Sequence, residues 1–252
     1  MNNKTIVLIT GAGSGIGKEL TDIYLSKNFF VIALDKDLSG LDTKNKNMLS
    51  VQCDLSTPTR RDVFKNLCKQ YNVDIIIANA GIGGVNPGYH FSTDLNSMFF
   101  EVNYFSIVDL IMTFIPQMKE RKSGHISVIS SLASFRGMPQ AASYSSSKSA
   151  INKTIESFRI DLAPYNIRFS NIMPGFIKTK MTDHSEFSMP FMVSPEKAAS
   201  LIYKAIKKNK KNYYFPKMMA LLSFLNRFLP VGLFTFIMSN FVSDQNKKPK
   251  SF

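Results

Sequence analysis

Cysteine is almost missing from this chain. Two residues in 252, Cys53 and Cys68, cannot build a disulfide framework. The plain reading is a pair of reduced thiols in a cytoplasmic protein. Long apolar runs are missing too: no stretch approaches ~18 uncharged apolar residues, so an ordinary membrane span is not expected. The N-terminus lacks the layout of a secretory signal, because the apolar run ending at Thr10 is short and leads directly into glycines. No Gly/Ser-rich linker and no internal repeat divides the chain. His90, His125 and His184 are scattered without ligand spacing, and neither cysteine accompanies them, so no metal site is expected. Acids are scarce at one end. Residues 204–252 hold ten Lys or Arg against a single Asp244, and so nine of the thirteen net positive charges. That excess is mixed with aromatics, which suits an anionic surface near the C-terminus better than a basic groove for nucleic acid.

What is present is enough apolar material for a large core, 44% against 19% charged residues, which excludes a disordered chain. Continuous apolar runs at residues 4–10, 29–35, 48–54, 74–80, 125–130 and 167–173 read as strands buried on both faces. Helical stretches lie between them, at residues 16–28, from Thr57-Pro58 to Tyr71, from Asp94 to Lys122, from Ser143 to Tyr165, and from Ser194-Pro195-Glu196 onward. This alternation predicts an α/β fold, a doubly wound parallel sheet flanked by helices. One domain is expected, with residues 1–203 as its dinucleotide-binding and catalytic part and residues 204–252 as a basic, aromatic-rich extension.

The first strand is followed by Thr10-Gly-Ala-Gly-Ser-Gly-Ile-Gly17. The strict G-x-G-x-x-G pattern is not met, since Ile16 stands where its last glycine belongs. Gly11, Gly15 and Gly17 form a variant with the same physics. They allow a tight turn and let a pyrophosphate approach amides at a helix N-terminus. A nucleotide hydrolase is excluded, because Gly17-Lys18 is followed by Glu19 rather than Ser or Thr. Asp35 ends the second strand, 24 residues after Gly11. An acid there accepts hydrogen bonds from an adenosine ribose and repels a 2′-phosphate. Lys36 beside it tolerates such a phosphate, so the expected cofactor is NAD, with NADP as the alternative. Asp54 ends the third strand and faces either an adenine edge or solvent as a loop cap.

Tyr144 and Lys148 are four residues apart and share a helix face. A phenol with an ordinary pKa of ~10 needs a nearby ammonium to serve as acid and base near neutrality. Alone, such a pair reads better as a surface pair on an amphipathic helix. No Ser/His/Asp set competes with it, because Ser131 has no motif-paired histidine.

The glycine run 10–17, Ala78-Asn-Ala-Gly81, Asn103, Ser130-Ser131, Tyr144-Ser-Ser-Ser-Lys148 and Pro174-Gly175 together resemble the short-chain dehydrogenase/reductase family, over residues 4–203. The resemblance implies a Rossmann-type fold and an NAD(P)-dependent oxidoreductase that interconverts a secondary alcohol and a carbonyl. It implies Tyr144 as acid/base and Ser131 as the group that polarises the substrate oxygen, with Ser130 and Ser134 as competitors. Lys148 tunes Tyr144 and holds the nicotinamide ribose, and Asn103 supports a water on the proton path. The implied cofactor set is Gly11, Ser14, Gly15, Ile16, Gly17, Asp35, Asp54, Leu55, Asn79, Ala80, Gly81, Tyr144, Lys148, Pro174, Gly175, Ile177 and Thr179. Ala78 stands where the family commonly has Asn. A homodimer or homotetramer is implied as well.

Residues 176–193 read as a substrate loop or as a loop packed on the core. Met181, Phe187, Met189, Phe191 and Met192 would be its apolar contacts. With the tail they suggest an apolar, lipid-like substrate. In the extension, two apolar halves, residues 218–229 and 231–242, meet at Pro230, which should break a helix. They could lie on an anionic membrane surface, cover the substrate pocket or join subunits. Residues 247–250 read as a disordered tail. The rival function on the same fold is a non-enzymatic dinucleotide sensor or membrane-docking protein.

Overall fold

Strands that are apolar on both faces fit only the interior of a covered sheet. The computed structural model describes residues 4–179, 189 and 191–246. It places β1 (Ile6–Thr10), β2 (Phe30–Asp35), β3 (Met48–Gln52), β4 (Ile75–Ala78), β5 (Gly124–Ile129), β6 (Ile167–Pro174) and β7 (Asn212–Phe215) in one sheet. The order is β3-β2-β1-β4-β5-β6-β7, and every pairing is parallel. The order reverses between β1 and β4, so the carboxyl ends of these two strands open a crevice.

The period-two alternation of β1 feeds two cores. Leu8 faces one side, with Phe64 and Leu67 of α2 (Arg60–Gln70), Leu110 and Phe114 of α4 (Ser106–Glu120), and Ile151 of α5 (Ala142–Asp161). Val7 and Ile9 face the other, with Leu20 and Tyr24 of α1 (Gly15–Ser26) and Ala198 and Ile202 of α6 (Pro195–Lys207). This is the expected doubly wound sheet. Two further helices, α7 (Lys217–Phe228) and α8 (Val231–Asn246), follow the last strand and are separated at Pro230 as the sequence predicts.

Three local readings differ. β7 was not expected as a strand; its four residues are too short for a period-two pattern to emerge. It pairs with β6, with Asn171 opposite Asn212 and Pro174 opposite Phe215. α2 begins at Arg60 rather than at Pro58. Thr57 is held in the preceding turn, where its amide and hydroxyl both bond the carbonyl of Asp54. The helix expected from Asp94 to Lys122 is α3 (Thr93–Phe100) and α4 joined by a π turn, Glu101–Phe105. The wider turn contains Asn103.

Candidate active site

The glycine turn is shaped by close backbone approach. A Cβ on Gly17 would lie 1.8 Å from the carbonyl oxygen of Gly11, and one on Gly13 would lie 2.3 Å from that of Asp37. Gly11 and Gly15 take left-handed conformations, φ +66° and +51°, which glycine alone adopts without strain. Asn79 clamps the turn from the end of β4: its Nδ2 donates to the carbonyls of Thr10 (3.0 Å) and Gly11 (3.1 Å). The Ala80 amide donates to Thr10 Oγ1. The turn leads into α1, whose N-cap Ser14 makes no side-chain capping bond. The first amides of α1, those of Gly15, Ile16 and Gly17, have no intrahelical acceptor and carry the positive end of the helix dipole.

Asp35 lies at the end of β2, beside this turn. Its carboxylate accepts from the Gly13 amide at 2.7 Å and from the Asp37 amide at 3.1 Å. A carboxylate has about four lone-pair sites, so acceptor capacity remains for a ribose diol. Asp54 is turned toward its own loop, accepting from the amide (2.9 Å) and hydroxyl (2.7 Å) of Ser56. Those bonds hold its carboxyl below the ordinary range. These are the contacts of a loop cap, the second of its two readings. Leu55 beside it is buried, and its carbonyl accepts from Arg60.

Tyr144 and Ser131 meet. Ser131 is the neighbour that lowers the Tyr144 pKa, and the Ser131 hydroxyl accepts from the Ala133 amide at 3.1 Å. Ser130 and Ser134 differ: the Ser130 hydroxyl bonds the carbonyl of Lys148, and that of Ser134 bonds the carbonyl of Ser131. Of the three serines, Ser131 is therefore the one engaged with the phenol. Phe99 sets its ring edge against Tyr144, with centroids 6.3 Å apart at 74°.

Lys148 is buried one helical turn on. Its ammonium lies 6.0 Å from the centre of the Tyr144 ring and donates to the Ile129 carbonyl at 3.0 Å. Burial pulls its pKa from 10.5 down to about 8. Lys148 is not among the groups that shift the phenol here. Burial raises the Tyr144 pKa above its ordinary value, and only the Ser131 hydrogen bond pulls it down. The helix spacing aligned the two residues, while the desolvation of the cleft decided the sign.

Asn103 is fully buried in the π turn. Its Oδ1 accepts from the Ile82 amide (2.9 Å), and its Nδ2 donates to the Ile82 carbonyl (3.0 Å) and to Ser147 Oγ (3.2 Å). Asn103 and Lys148 meet at Gly81, where a Cβ would lie 3.0 Å from Asn103 Oδ1 and 3.2 Å from Lys148 Nζ. On the far side of the cleft Pro174 ends β6, and the Gly175 amide donates to the Phe215 carbonyl at 2.7 Å. Ile177 is buried and bridges to Val193. Thr179 approaches the glycine turn, its methyl 3.2 Å from a Cβ placed on Gly15. Of the expected substrate loop, Phe191 and Met192 are exposed and Met189 is half-buried. Met181 and Phe187 lie outside the described residues, as do His184 and the 247–250 tail.

Three supporting residues escaped the sequence reading. Arg60 is buried, pairs with Asp109 (2.7 Å) and Glu101 (2.5 Å), and holds the Leu55 carbonyl. Asn86 is buried between loops, donating to Ser143 Oγ (2.8 Å) beside Tyr144 and accepting from the Ser92 amide. Arg136, five residues after Ser131, donates to the carbonyls of Asn226 and Leu229 at the end of α7. No local pattern marks any of the three, because each partner lies far away in sequence. His125 is a core residue of β5 bonded to Ser170 (2.9 Å), with its pKa pushed down to about 4 by burial. Among the described residues, no three His, Cys, Asp or Glu side chains gather as a metal site.

The model of the short chain dehydrogenase family matches residues 5–188. An uncharacterized oxidoreductase of Myxococcus xanthus is 30% identical over 237 residues, covering 90% of this chain and 93% of that protein. A 3-ketodihydrosphingosine reductase of Bacteroides thetaiotaomicron is 29% identical over 215 residues, 84% of this chain and 79% of its own length. The solved structure of a 4-hydroxyisoleucine dehydrogenase complexed with NADH superposes with a TM-score of 0.76 at 28% identity, covering 84% of this chain and 96% of that one.

Proposed function

Because the chain belongs to the short-chain dehydrogenase family and is an oxidoreductase of it, we propose that it reduces a ketone to a secondary alcohol, or reverses that reaction, at Ser131, Tyr144 and Lys148. The observation that carries this reading is the grouping of Ser131 beside Tyr144 with the buried Lys148 ammonium 6.0 Å from the Tyr144 ring centre.

The residues fit a dinucleotide. The opening amides of α1 point their donors out of the glycine turn, and the steric crowding at Gly13 and Gly17 leaves that turn no room for other side chains. Asp35 would hold the adenosine ribose, which favours NAD over a cofactor with a 2′-phosphate. Lys148 would hold the second ribose, and Pro174, Gly175, Ile177 and Thr179 would line the nicotinamide. When bound, the nicotinamide ring supplies or accepts the hydride.

The protein's part is orientation and proton transfer. Ser131 donates to the substrate oxygen and stabilises the charge that develops there. Tyr144, raised by burial, is protonated at neutral pH and so stands ready to give its proton to that oxygen in the reducing direction. Lys148, with a pKa of about 8, is close enough to neutrality to exchange protons with solvent and return one to the phenol. Asn103 is a positioning residue. It fixes Ile82 and the Gly81 approach against which the lysine packs.

An apolar, acyl-chain carbonyl fits the rim of the cleft. Val85 and Met138 are exposed on two loops joined where the Asn86 amide meets the Gln140 carbonyl at 2.7 Å. Phe191 and Met192 are exposed as well. The similarity to the 3-ketodihydrosphingosine reductase of Bacteroides thetaiotaomicron supports the same class. The test is turnover of NADH with a ketone series of rising chain length. Rising kcat/KM with chain length, lost in Tyr144→Phe with NADH binding retained, is the expected result. NADH binding without turnover of any ketone would assign the chain to the sensor reading.

A further inference from the structure

We propose that α7 and α8 form a docking face for an anionic phospholipid bilayer, on which the protein lies without crossing it. α7 contains no buried residue. Phe228, Val231 and Phe236 are exposed by 70%, 75% and 65%, and Leu222, Leu225 and Leu233 are also exposed. So many large apolar side chains exposed on two adjoining helices mark an interaction site.

Charge selects the occupant. Across residues 217–246 the only charged side chains are Lys217, Arg227 and Asp244, so the face itself is almost neutral. Beside it, Lys204, Lys207, Lys208, Lys210 and Lys211 are all exposed and precede β7 without an intervening acid. An apolar face bordered by basic residues matches an interface of acyl chains below anionic headgroups. A second copy fits poorly, because self-association would bring two such basic clusters together.

Length decides between lying and spanning. α7 has 12 residues and the apolar part of α8, Val231–Asn240, has ten. At about 1.5 Å per residue neither covers a hydrocarbon core of ~30 Å, and Pro230 prevents their fusion into one rod. The helix Thr93–Glu120 is long and apolar enough to cross a membrane, but half of its most apolar window is buried in the protein.

The face is attached to the cleft. Arg136, on the loop after Ser131, caps the end of α7 through Asn226 and Leu229, and its guanidinium sits 3.9 Å from the ring centre of Phe234 in α8. The Phe135 ring packs on Tyr214 at 5.7 Å, and Met219 of α7 packs on Gly175, where its sulfur would lie 2.7 Å from a Cβ. Docking through α7 and α8 therefore holds the Ser131 loop and the Pro174-Gly175 wall at the membrane surface, where an apolar ketone would partition.

The test is flotation of the full chain with phosphatidylcholine vesicles and with vesicles of phosphatidylcholine mixed with phosphatidylserine. The chain should float with the mixed vesicles and release as salt rises. Phe228→Asp combined with Phe236→Asp should lower binding at least about tenfold. Replacing Lys207, Lys208, Lys210 and Lys211 with Gln should lower it at least about a hundredfold, from roughly fivefold per lysine. Both variants should keep wild-type NADH binding, since the changed side chains are exposed and outside the cleft. Absence of wild-type flotation, or equal flotation of the variants, overturns the proposal. So does sedimentation showing that the Phe228/Phe236 variant merely dissociates a wild-type dimer. Flotation needs no turnover, so this result stands apart from that of the ketone assay.

Discussion

Replacing Lys148 with Met should abolish turnover and yet not destabilise the protein at neutral pH. The ammonium is buried, its one protein acceptor is the Ile129 carbonyl at 3.0 Å, and no acid pairs with it among the described residues. Burial brings its pKa from 10.5 to about 8. At about 1.4 kcal/mol per pKa unit, the charged form costs the fold roughly 3 kcal/mol. Met has similar length and no charge to desolvate. It leaves the Ile129 carbonyl without that donor, at a cost of about 1–2 kcal/mol. The variant should therefore match the wild type at pH 7 or exceed it by about 1–2 kcal/mol. The pH dependence gives the sharper readout. Below pH 8 the lysine is protonated in both states and the penalty is complete. Between about pH 8 and 10.5 the unfolded chain binds a proton that the folded chain lacks, so wild-type stability rises with pH. Above 10.5 the penalty is gone. Urea unfolding of both proteins from pH 7 to 10.5 should show the wild type gaining roughly 3 kcal/mol on the variant. A difference that stays flat across this window would refute the claim that Lys148 is desolvated in the fold.

Further outcomes follow from the same geometry. Gly13→Ala should weaken NADH binding by tenfold or more on fluorescence titration, about 1.4 kcal/mol, because its Cβ would meet the Asp37 carbonyl at 2.3 Å; Gly137→Ala, with nothing within 4 Å, should not. Asp35→Ala should raise the KM for NADH and narrow its advantage over NADPH, measured by initial rates with both, since it removes the ribose acceptor and the repulsion of a 2′-phosphate. Asn103→Ala leaves the half-buried Ile82 amide and carbonyl without their side-chain partner, and should cost about 1–2 kcal/mol by denaturant unfolding.

The parts of the site legible in the sequence are those whose physics is local. The glycine turn is a run of eight residues between a strand and a helix. Tyr144 and Lys148 share a helix face at a spacing of four, and Pro230 breaks the C-terminal helix where its ring must. What escaped depends on distant partners. Arg60 meets Asp109 49 residues away, Asn86 meets Ser143 at 57, and Arg136 meets Asn226 at 90. No periodicity announces such pairs. The π turn at Asn103 is likewise invisible in a helix-period pattern, and the side chain it holds bonds Ile82 on another segment. The balance of effects on Tyr144 is hidden from the sequence for a related reason. Helix spacing shows which charge is near, but the depth of the cleft sets how strongly burial opposes ionisation. The apolar extension was plain in sequence, yet only its packing on Arg136 and Gly175 ties it to the cleft.

Tyr144 protonates the carbonyl oxygen in this mechanism while hydride reaches the adjoining carbon. The most direct test supplies NADH carrying deuterium at both C4 positions of the nicotinamide with a long-chain ketone and analyses the product by mass spectrometry and NMR. Deuterium on the carbinol carbon, with product formation reduced about 10²-fold or more in Tyr144→Phe, is the predicted result. An unlabelled alcohol, or equal product from the wild type and Tyr144→Phe, would contradict it.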